Sequence, residues 1–570
     1  MYNLIDAVAN SETECDTKAK EVAWYYTSNI LVEDNEAPKA ELSICNMLTG
    51  EYVTEYVAID ELNKEKFKKL ILKNGGVCTC PDAQFKKLKS EYFKSLIDKS
   101  AHIIKIHKDL GWKNSNGTNV FLGHNKISLT GEESGYRGNI DVSPVGNTDE
   151  LVAMIDKWII GCSEWSPLEA VISFSVAATI LPFIRLVWGM ELDNPIIHII
   201  GGSTTGKSTA LKMHVSFGSD FTNRKRSFLI SFESSLVSII HRIGQNWGFP
   251  VSIDELSAGS RKSYDEFIYT LGNGEEKDRL KAGGIGLQES ATFSTVVMTS
   301  GEISMHRKCS NNEGIRGRCF EIPNVHWTES KEQSVAIIEC LRNNHGLITP
   351  LVAEEMLKNS DFWHDRWNEI SNKVHSKILD DKVYVSITPR VADFVTLFTM
   401  AAEVVNKIFS IKLNVDAIFK FCYDYIIIAN AEEANLAERA YACIMGHFSN
   451  NLALYPDGEL YGCKDQYNGY SLQTEEEGFH RDAARVRKVM GKELNKQVVF
   501  RKSSIERILD EGGFSVKVAL NKLKEANLLA TKDRARCTNR ATINGVEQDV
   551  VVVYYKNDAD DAIVVNDIIE

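Results

Sequence analysis

A chain of 570 residues is longer than one hydrophobic core can serve, so roughly three or four domains are expected. The hydrophobic share of 44% supports globular folding, and a formal charge of -13 excludes a protein that coats nucleic acid with its whole surface, so any DNA contact must be local. Twelve cysteines fall singly along the chain, with Cys78 and Cys80 the closest pair; that excludes a disulfide framework and fits reducing cytoplasm.

The first residues, MYNLIDAVANSETECD, lack a basic region followed by an apolar one, so no signal peptide is expected. Residues 1–112 read as a mixed accessory domain, with β-rich runs at 21–26 and 41–53 and lysine-rich amphipathic helices near 60–73 and 82–98. Their lysines lie on polar faces, where solvation is the ordinary explanation. Cys78, Cys80, His102 and His107 fit no standard zinc spacing.

Residues 113–159, rich in Gly, Asn and Ser, read as a strand-and-turn connector. Over 160–330, helices alternate with short apolar strands, the α/β pattern of a parallel sheet covered on both faces. The long apolar stretch 168–189 contains Glu169, Pro182 and Arg185, so a soluble core helix is expected and no membrane association. Ser166-Pro167-Leu168-Glu169 opens it as a capping box with proline at the first helical position.

The strongest motif is Gly201-Gly202-Ser203-Thr204-Thr205-Gly206-Lys207-Ser208, followed by Thr209, directly after the apolar run 195–200. Glycines let backbone N–H groups wrap phosphate oxygens, and the helix that follows offers its positive N-terminus. Lys207 reaches the β and γ phosphates of ATP, and Ser208 ligates magnesium. A second apolar strand, 249–253, delivers Asp254-Glu255, the pair that hydrolysis needs: Asp254 for the magnesium shell, Glu255 to orient and deprotonate water.

A third strand, 293–298, runs into Thr299-Ser300-Gly301-Glu302. Either Thr299 or Ser300 there would contact the γ-phosphate or the attacking water, where asparagine is the more familiar residue; a plain strand-ending turn is the alternative. Gly314-Ile315-Arg316-Gly317-Arg318 then enters a short apolar strand. An arginine here can stabilise the transferring phosphoryl group in a neighbouring subunit, Arg318 being favoured over Arg316.

The blocks GGSTTGKSTAL, SIDELS, YTLGNGEEKDRLKAGG, VVMTSGE, RGRCFEIP and TPRVADFVTLFTMAAEV, in that order between Leu110 and about Tyr555, resemble the MCM-like AAA+ helicases of staphylococcal cassette chromosomes and related pathogenicity islands. The resemblance implies a ring of six copies with ATP between subunits, DNA in the central pore, 3′ to 5′ travel and a second sensor arginine at Arg390. The first 100 residues match only loosely.

Residues 279–288, RLKAGGIGLQ, read as two short strands about a glycine turn. A positive tip, Lys281 and then Arg279, would grip a phosphodiester backbone if this is the pore hairpin of such helicases; a purely structural hairpin is the alternative. A helical lid and linker region follows over 331–470.

Residues 471–556 read as a winged helix. A helix at 503–511, a Gly512-Gly513 turn and a helix at 515–526 with Val518, Ala519 and Leu523 inward precede a strand from Leu528. A hairpin then closes through Asn544-Gly545. Lys517, Asn521, Lys522 and Lys524 on the polar side, Arg534, Arg536 and Arg540 on the wing, and Arg485, Arg487 and Lys488 upstream concentrate positive charge in an otherwise acidic chain, for DNA binding or for packing. Residues 557–570 form an acidic tail.

The expected function is an ATP- and Mg2+-dependent hexameric helicase on single-stranded and forked DNA, serving replication of a mobile element with a separate primase or polymerase. An origin-melting initiator and a nucleotide-gated loader are the alternatives.

Overall fold

The computed structural model describes residues 25–33, 39–46, 49–58, 64–75, 102–115, 117–255, 263–276, 290–309, 313–385, 387–409, 411–434, 436–458, 470, 472–473, 475–489, 492–531 and 536–556. The helix expected at 82–98, Cys78 and Cys80, the acidic tail, and Arg279, Lys281 and Arg534 lie outside them.

Among the described residues the protein is a mixed α/β chain. Near the N-terminus, β1 (Tyr25–Glu33), β2 (Lys39–Cys45) and β3 (Tyr52–Ala58) form an antiparallel meander, with α1 (Lys64–Lys73) after it. β4 (His102–His107) joins β1 in parallel and β8 (Gly135–Tyr136) joins β4, giving the order β3-β2-β1-β4-β8. His107 is buried between the Ser134 hydroxyl and the Gly123 carbonyl.

A second small sheet, ordered β11-β5-β6-β7, combines β5 (Leu110–Ser115), β6 (Thr118–Leu122) and β7 (Lys126–Ile127) with the distant β11 (Asn246–Trp247). Backbone approach at that joint is close. Gly111 has φ +93° and a Cβ on it would stand 1.9 Å from the Trp247 carbonyl oxygen, so no other residue fits. Next to it, Trp112 donates its indole N–H to the Thr179 carbonyl (2.7 Å) and packs against Phe121 and Phe183. The end of the expected accessory domain, and through Phe121 the start of the connector, is thus fastened to the core helix.

After α2 (Thr148–Ile155) comes that helix, α3 (Pro167–Val187). Ser166 accepts from the Leu168 amide while Glu169 accepts from the Ser166 amide, the reciprocal capping expected from the sequence. It is the one helix among the described residues long and apolar enough to cross a membrane, but 83% of its most apolar window is buried inside the protein. Its partners include α11 (Thr388–Phe409), where Phe398 meets Phe174 edge-on and accepts at its carbonyl from Ser173.

The central sheet is wholly parallel and ordered β10-β12-β13-β9-β14: β9 (Ile196–Ile200), β10 (Leu229–Ser231), β12 (Val251–Asp254), β13 (Val297–Gly301) and β14 (Cys319–Pro323). The Ile-rich run of β9, buried through residues 196–199, suits a strand covered on both faces. β13 begins later than the expected 293–298 and takes in Thr299 and Ser300. Phe293 and Thr295 are engaged elsewhere: Asn194 bridges the Phe293 carbonyl and the Thr295 amide, and the Thr295 hydroxyl reaches the Phe249 carbonyl. α4 (Lys207–Ser216), α5 (Leu236–Ile243) and α6 (Asp265–Asn273) are interleaved with these strands, and α7 (Glu313–Arg316) leads into β14.

The helical region contains α8 (Lys331–Asn343), α9 (Ile348–Lys358), α10 (Ser360–Asp381), α11, α12 (Val415–Cys422), α13 (Ala429–Ala434) and α14 (Leu436–Asn450). The C-terminal sheet, ordered β15-β16-β18-β17, is antiparallel: β15 (Gly478–Val489), β16 (Lys492–Arg501), β17 (Asn539–Ile543) and β18 (Val546–Tyr555). Asn544 (φ 52°) and Gly545 (φ 77°) make the tight turn between the last two strands. α15 (Lys502–Glu511) and α16 (Val516–Glu525) pack on this sheet.

Two expectations fail here. Leu528 opens no strand beyond a single bridge from Leu529 to Val553, and Val518 points outward while Ala519, Leu520 and Leu523 are buried. A turn of helix separates 518 from 522, so the inward stripe runs 519, 520, 523.

The C-terminal core reaches further back than residue 471. Leu436, Ala440, Ile444 and Phe448 of α14 share one apolar cluster with Val498, Phe500, Leu523 and Val553, whereas Ile426 and Ile427 belong to the core of the central sheet. A chain ending at residue 434 should therefore remain soluble with a cooperative thermal transition. One ending at 470 would expose the α14 face and should aggregate or bind a hydrophobic dye; equal behaviour of the two would show that α14 belongs with the sheet core.

Candidate functional site

The carboxyl ends of the parallel strands set out one side of the site. β9 runs into the glycine turn 201–206, which leads straight into α4. Gly206 caps that helix in the left-handed region (φ 83°), and a Cβ on it would lie 2.5 Å from the Thr328 hydroxyl oxygen, so glycine is required. Thr204 is also left-handed (φ 73°), and the Trp327 amide donates to the Thr205 carbonyl, pinning the turn from outside. Gly202, Ser203, Thr204 and Ser208 are exposed, whereas Gly201 and Thr205 are half-buried.

A helix N-terminus entered through such a turn concentrates unpaired backbone N–H groups and positive potential, which is the physical requirement of a phosphate cradle. Lys207 folds over the turn, its ammonium donating to the Gly201 and Gly202 carbonyls (2.6 Å each). Thr209 faces away from it: it is buried and its hydroxyl meets that of Ser334 on α8.

At the adjoining strand ends, Ser300 of β13 donates to Asp254 Oδ1 of β12 (2.6 Å), and the Glu255 amide lies 3.1 Å from that same oxygen. Glu255 takes φ 65°, a left-handed conformation that costs a side-chain-bearing residue about 1 kcal/mol or more and turns it off the strand end as an exposed carboxylate. Pleating turns the two candidate sensor positions to opposite faces. Ser300 sits on the Asp254 side, and Thr299 is buried on the other face against His198 (2.8 Å).

Because the His198 Nε2 proton goes to the Ile303 carbonyl, Nδ1 is the acceptor for Thr299. Burial holds His198 and His306 below the usual imidazole range, and so neutral. Burial alone would raise the Glu321 carboxyl, but the hydrogen bonds it accepts from the His306 amide and the Ser304 hydroxyl hold it low, and they tie the loop after β13 to β14.

The arginines lie at the opposite end of the sheet. Arg316, at the close of α7, is 5% exposed, and burial, with Arg439 nearby, lowers its guanidinium to about 10. Its place is inside the chain. Arg318 precedes β14, whose Cys319 pairs with Ile196 at the start of β9, so about five residues of strand, roughly 17 Å, separate it from its own glycine turn.

Arg318 is firmly held. Its guanidinium reaches Asp193 (3.3 Å), Asn273 (3.2 Å) and the Gly314 carbonyl (2.9 Å), and lies over the Tyr269 ring. Gly272 makes the space, since a Cβ there would stand 2.5 Å from Arg318 Cδ. Arg390, in the first turn of α11, approaches the same Asp193 oxygen at 3.6 Å with its side chain half exposed. Sequence reasoning did not find Asp193 or Gly272; the available hints were one acid immediately before a buried strand and a glycine inside a helical pattern.

The polar surfaces proposed for DNA are described only in part. Residues 274–276 and 291–293 run antiparallel, through the Glu275–Thr292 bridge and the Glu276 amide to the Ala291 carbonyl; Arg279 and Lys281 fall between these two segments, outside the described residues. On the C-terminal unit Lys517 and Arg536 are exposed, while Lys522 pairs with Glu525 (3.3 Å). No group of three or more His, Cys, Asp or Glu side chains suited to a metal ion occurs among the described residues.

Comparison with known proteins places this arrangement. Residues 33–286 match the family described as a domain of unknown function, DUF927. No curated protein matches the chain. The chain is similar to a solved structure described as "SCCmec type IV Cch - active helicase", with a TM-score of 0.71, 17% identity and 94% of each chain covered. It is also similar to the NrS-1 C-terminal region, at a TM-score of only 0.24 and 10% identity over 71% of this chain and 92% of that one, too distant to bear on the fold. The mixed α/β fold with its parallel sheet is thus that of a solved helicase structure.

Proposed function

We propose that this chain is an ATP-hydrolysing DNA helicase of the AAA+ type, working as a ring of copies in the cytoplasm. The observation that carries the reading is the split of the site between two ends of one parallel sheet. The glycine turn, Lys207, Asp254, Glu255 and Ser300 lie at one end and Arg318 at the other, so a complete site needs a second copy. The order β10-β12-β13-β9-β14, with the glycine turn on the strand next to last, supports the AAA+ assignment.

The residues fit a nucleoside triphosphate with magnesium. Backbone N–H groups of 202–208 and Lys207 would hold the β and γ phosphates, and Ser208 and Asp254 would hold the magnesium shell. The metal supplies charge neutralisation at the phosphates when bound. Glu255 orients water and takes its proton, Ser300 fixes Asp254, and Arg318 of the next copy meets charge developing on the transferring group. Helicase action is supported by the fold shared with a structure described as an active helicase, and by the positive charge of Arg279 and Lys281 in the segment between the paired residues Glu275 and Thr292, which would suit the backbone of a DNA strand. Six copies, 3′ to 5′ travel, a lid carrying Arg390, a DNA-contacting winged helix and primer supply by a separate primase or polymerase complete the proposal.

Lys207→Ala should weaken binding of a fluorescent ATP analogue about ten- to hundred-fold, the worth of roughly 1.5–3 kcal/mol in charge-assisted hydrogen bonds. Glu255→Gln should bind normally but lose about 10²–10⁴-fold in turnover. Normal hydrolysis by Glu255→Gln would move the base role to another carboxylate. On a fork with labelled strands, the unaltered protein should release one strand catalytically with ATP. Local opening without release would mark an origin-melting machine, and stoichiometric binding alone a loader.

A further inference from the structure

The arginine end of the sheet contains an acid that the nucleotide chemistry does not call for. Asp193 lies two residues before the buried Pro195–Ile196 junction, and one of its oxygens, Oδ2, faces both Arg318 (3.3 Å) and Arg390 (3.6 Å). Those two side chains come from separate layers: Arg318 from the turn that enters the edge strand of the sheet, Arg390 from the first turn of a helix in the helical region. Arg185 of α3 lies within electrostatic range of the same carboxylate. Three guanidiniums around one acid leave a net positive patch, and without Asp193 the like charges of Arg318 and Arg390 would push the half-exposed Arg390 into solvent.

Asp193 is itself fixed. The next residue, Asn194, is fully buried and donates to the Leu271 and Phe293 carbonyls while accepting from the Thr295 amide, so the backbone at 193–194 cannot drift. Leu271 adjoins Gly272, the residue that makes room for Arg318. One short segment thus sets the position of the acid and the socket of one of its arginines.

We propose that Asp193 is a positioning residue that clasps Arg318 and Arg390 together, so that the two are presented as a pair to the triphosphate bound by a neighbouring copy. The inference rests on the shared-site reading above. Asp193 makes no contact with its own glycine turn, from which β9 separates it, so it serves the neighbour's site and not its own.

The isosteric Asp193→Asn removes the charge and keeps the shape. It should retain binding of a fluorescent ATP analogue yet lose about 10- to 100-fold in steady-state ATPase, the scale of misplacing a transition-state contact by about 1 Å. Mixed with Lys207→Ala subunits, with exchange confirmed by tagged pull-down, it should regain part of the activity, because some interfaces then pair an intact Lys207 with an intact clasp. Arg318→Ala mixed with Lys207→Ala is the reference.

Recovery in both mixtures supports the clasp. If the reference recovers but Asp193→Asn alone is as active as the unaltered protein, or stays inactive in its mixture, the clasp is overturned and the shared site stands. If the reference fails to recover despite exchange, the shared site falls and takes the clasp with it. Asp193→Glu, which keeps the charge, should retain more activity than Asp193→Asn; the reverse order would also overturn the proposal.

Discussion

In a parallel sheet every strand delivers its carboxyl end to the same edge, and the pairing of β9 with β13 on one side and β14 on the other fixes what can meet in this protein. Ile200 ends where the glycine turn begins, and its neighbour β13 places Ser300 against Asp254. At the other end the same register sets Arg318 beside Ile196. Hydrogen bonding along five residues thus does two things: it gathers the groups proposed to face the phosphates and it keeps the arginine away from them. The strands are buried on both faces, so slippage by one residue would turn each side chain to the opposite face and break both ends at once.

Packing beneath the sheet carries this constraint outward. His198, Thr299, Ser304, His306 and Glu321 form a buried polar network joining β9, β13 and β14, with the imidazoles kept neutral and each described polar contact made to a neighbouring strand or loop. Burying such groups is tolerable only when they are paired, so the network favours one register over its alternatives. On the other flank, α3 ties the sheet to the small sheet of Trp112 and to α11, where Arg390 begins.

What the sequence made legible was whatever local pattern decides. The glycine turn after an apolar run, the acid pair at a strand end, the capping box of α3 and the Asn544-Gly545 turn each depend on residues within a few positions, and each lies where expected. That Ser300 and not Thr299 faces Asp254 could not be read locally, because the strand starts later than its apolar run suggests, with Phe293 and Thr295 held by Asn194, some hundred residues upstream. Asp193 takes its meaning from Arg318 and Arg390, which no local window contains. The long hairpin of β15 and β16 was not anticipated either, since its Arg- and Lys-rich run carries little of the alternation that marks a strand. Val518 was misplaced because apolar character alone does not fix a helix face.

On the proposed reading, one chain holds only half of each catalytic site. Particle mass in solution, measured with and without a non-hydrolysable ATP analogue and magnesium, tests it most directly. Closed assemblies of several copies are expected, six on the proposed reading, stabilised by the analogue in the unaltered protein but not in Lys207→Ala. A strict monomer under both conditions, from a preparation that still hydrolyses ATP, would contradict it.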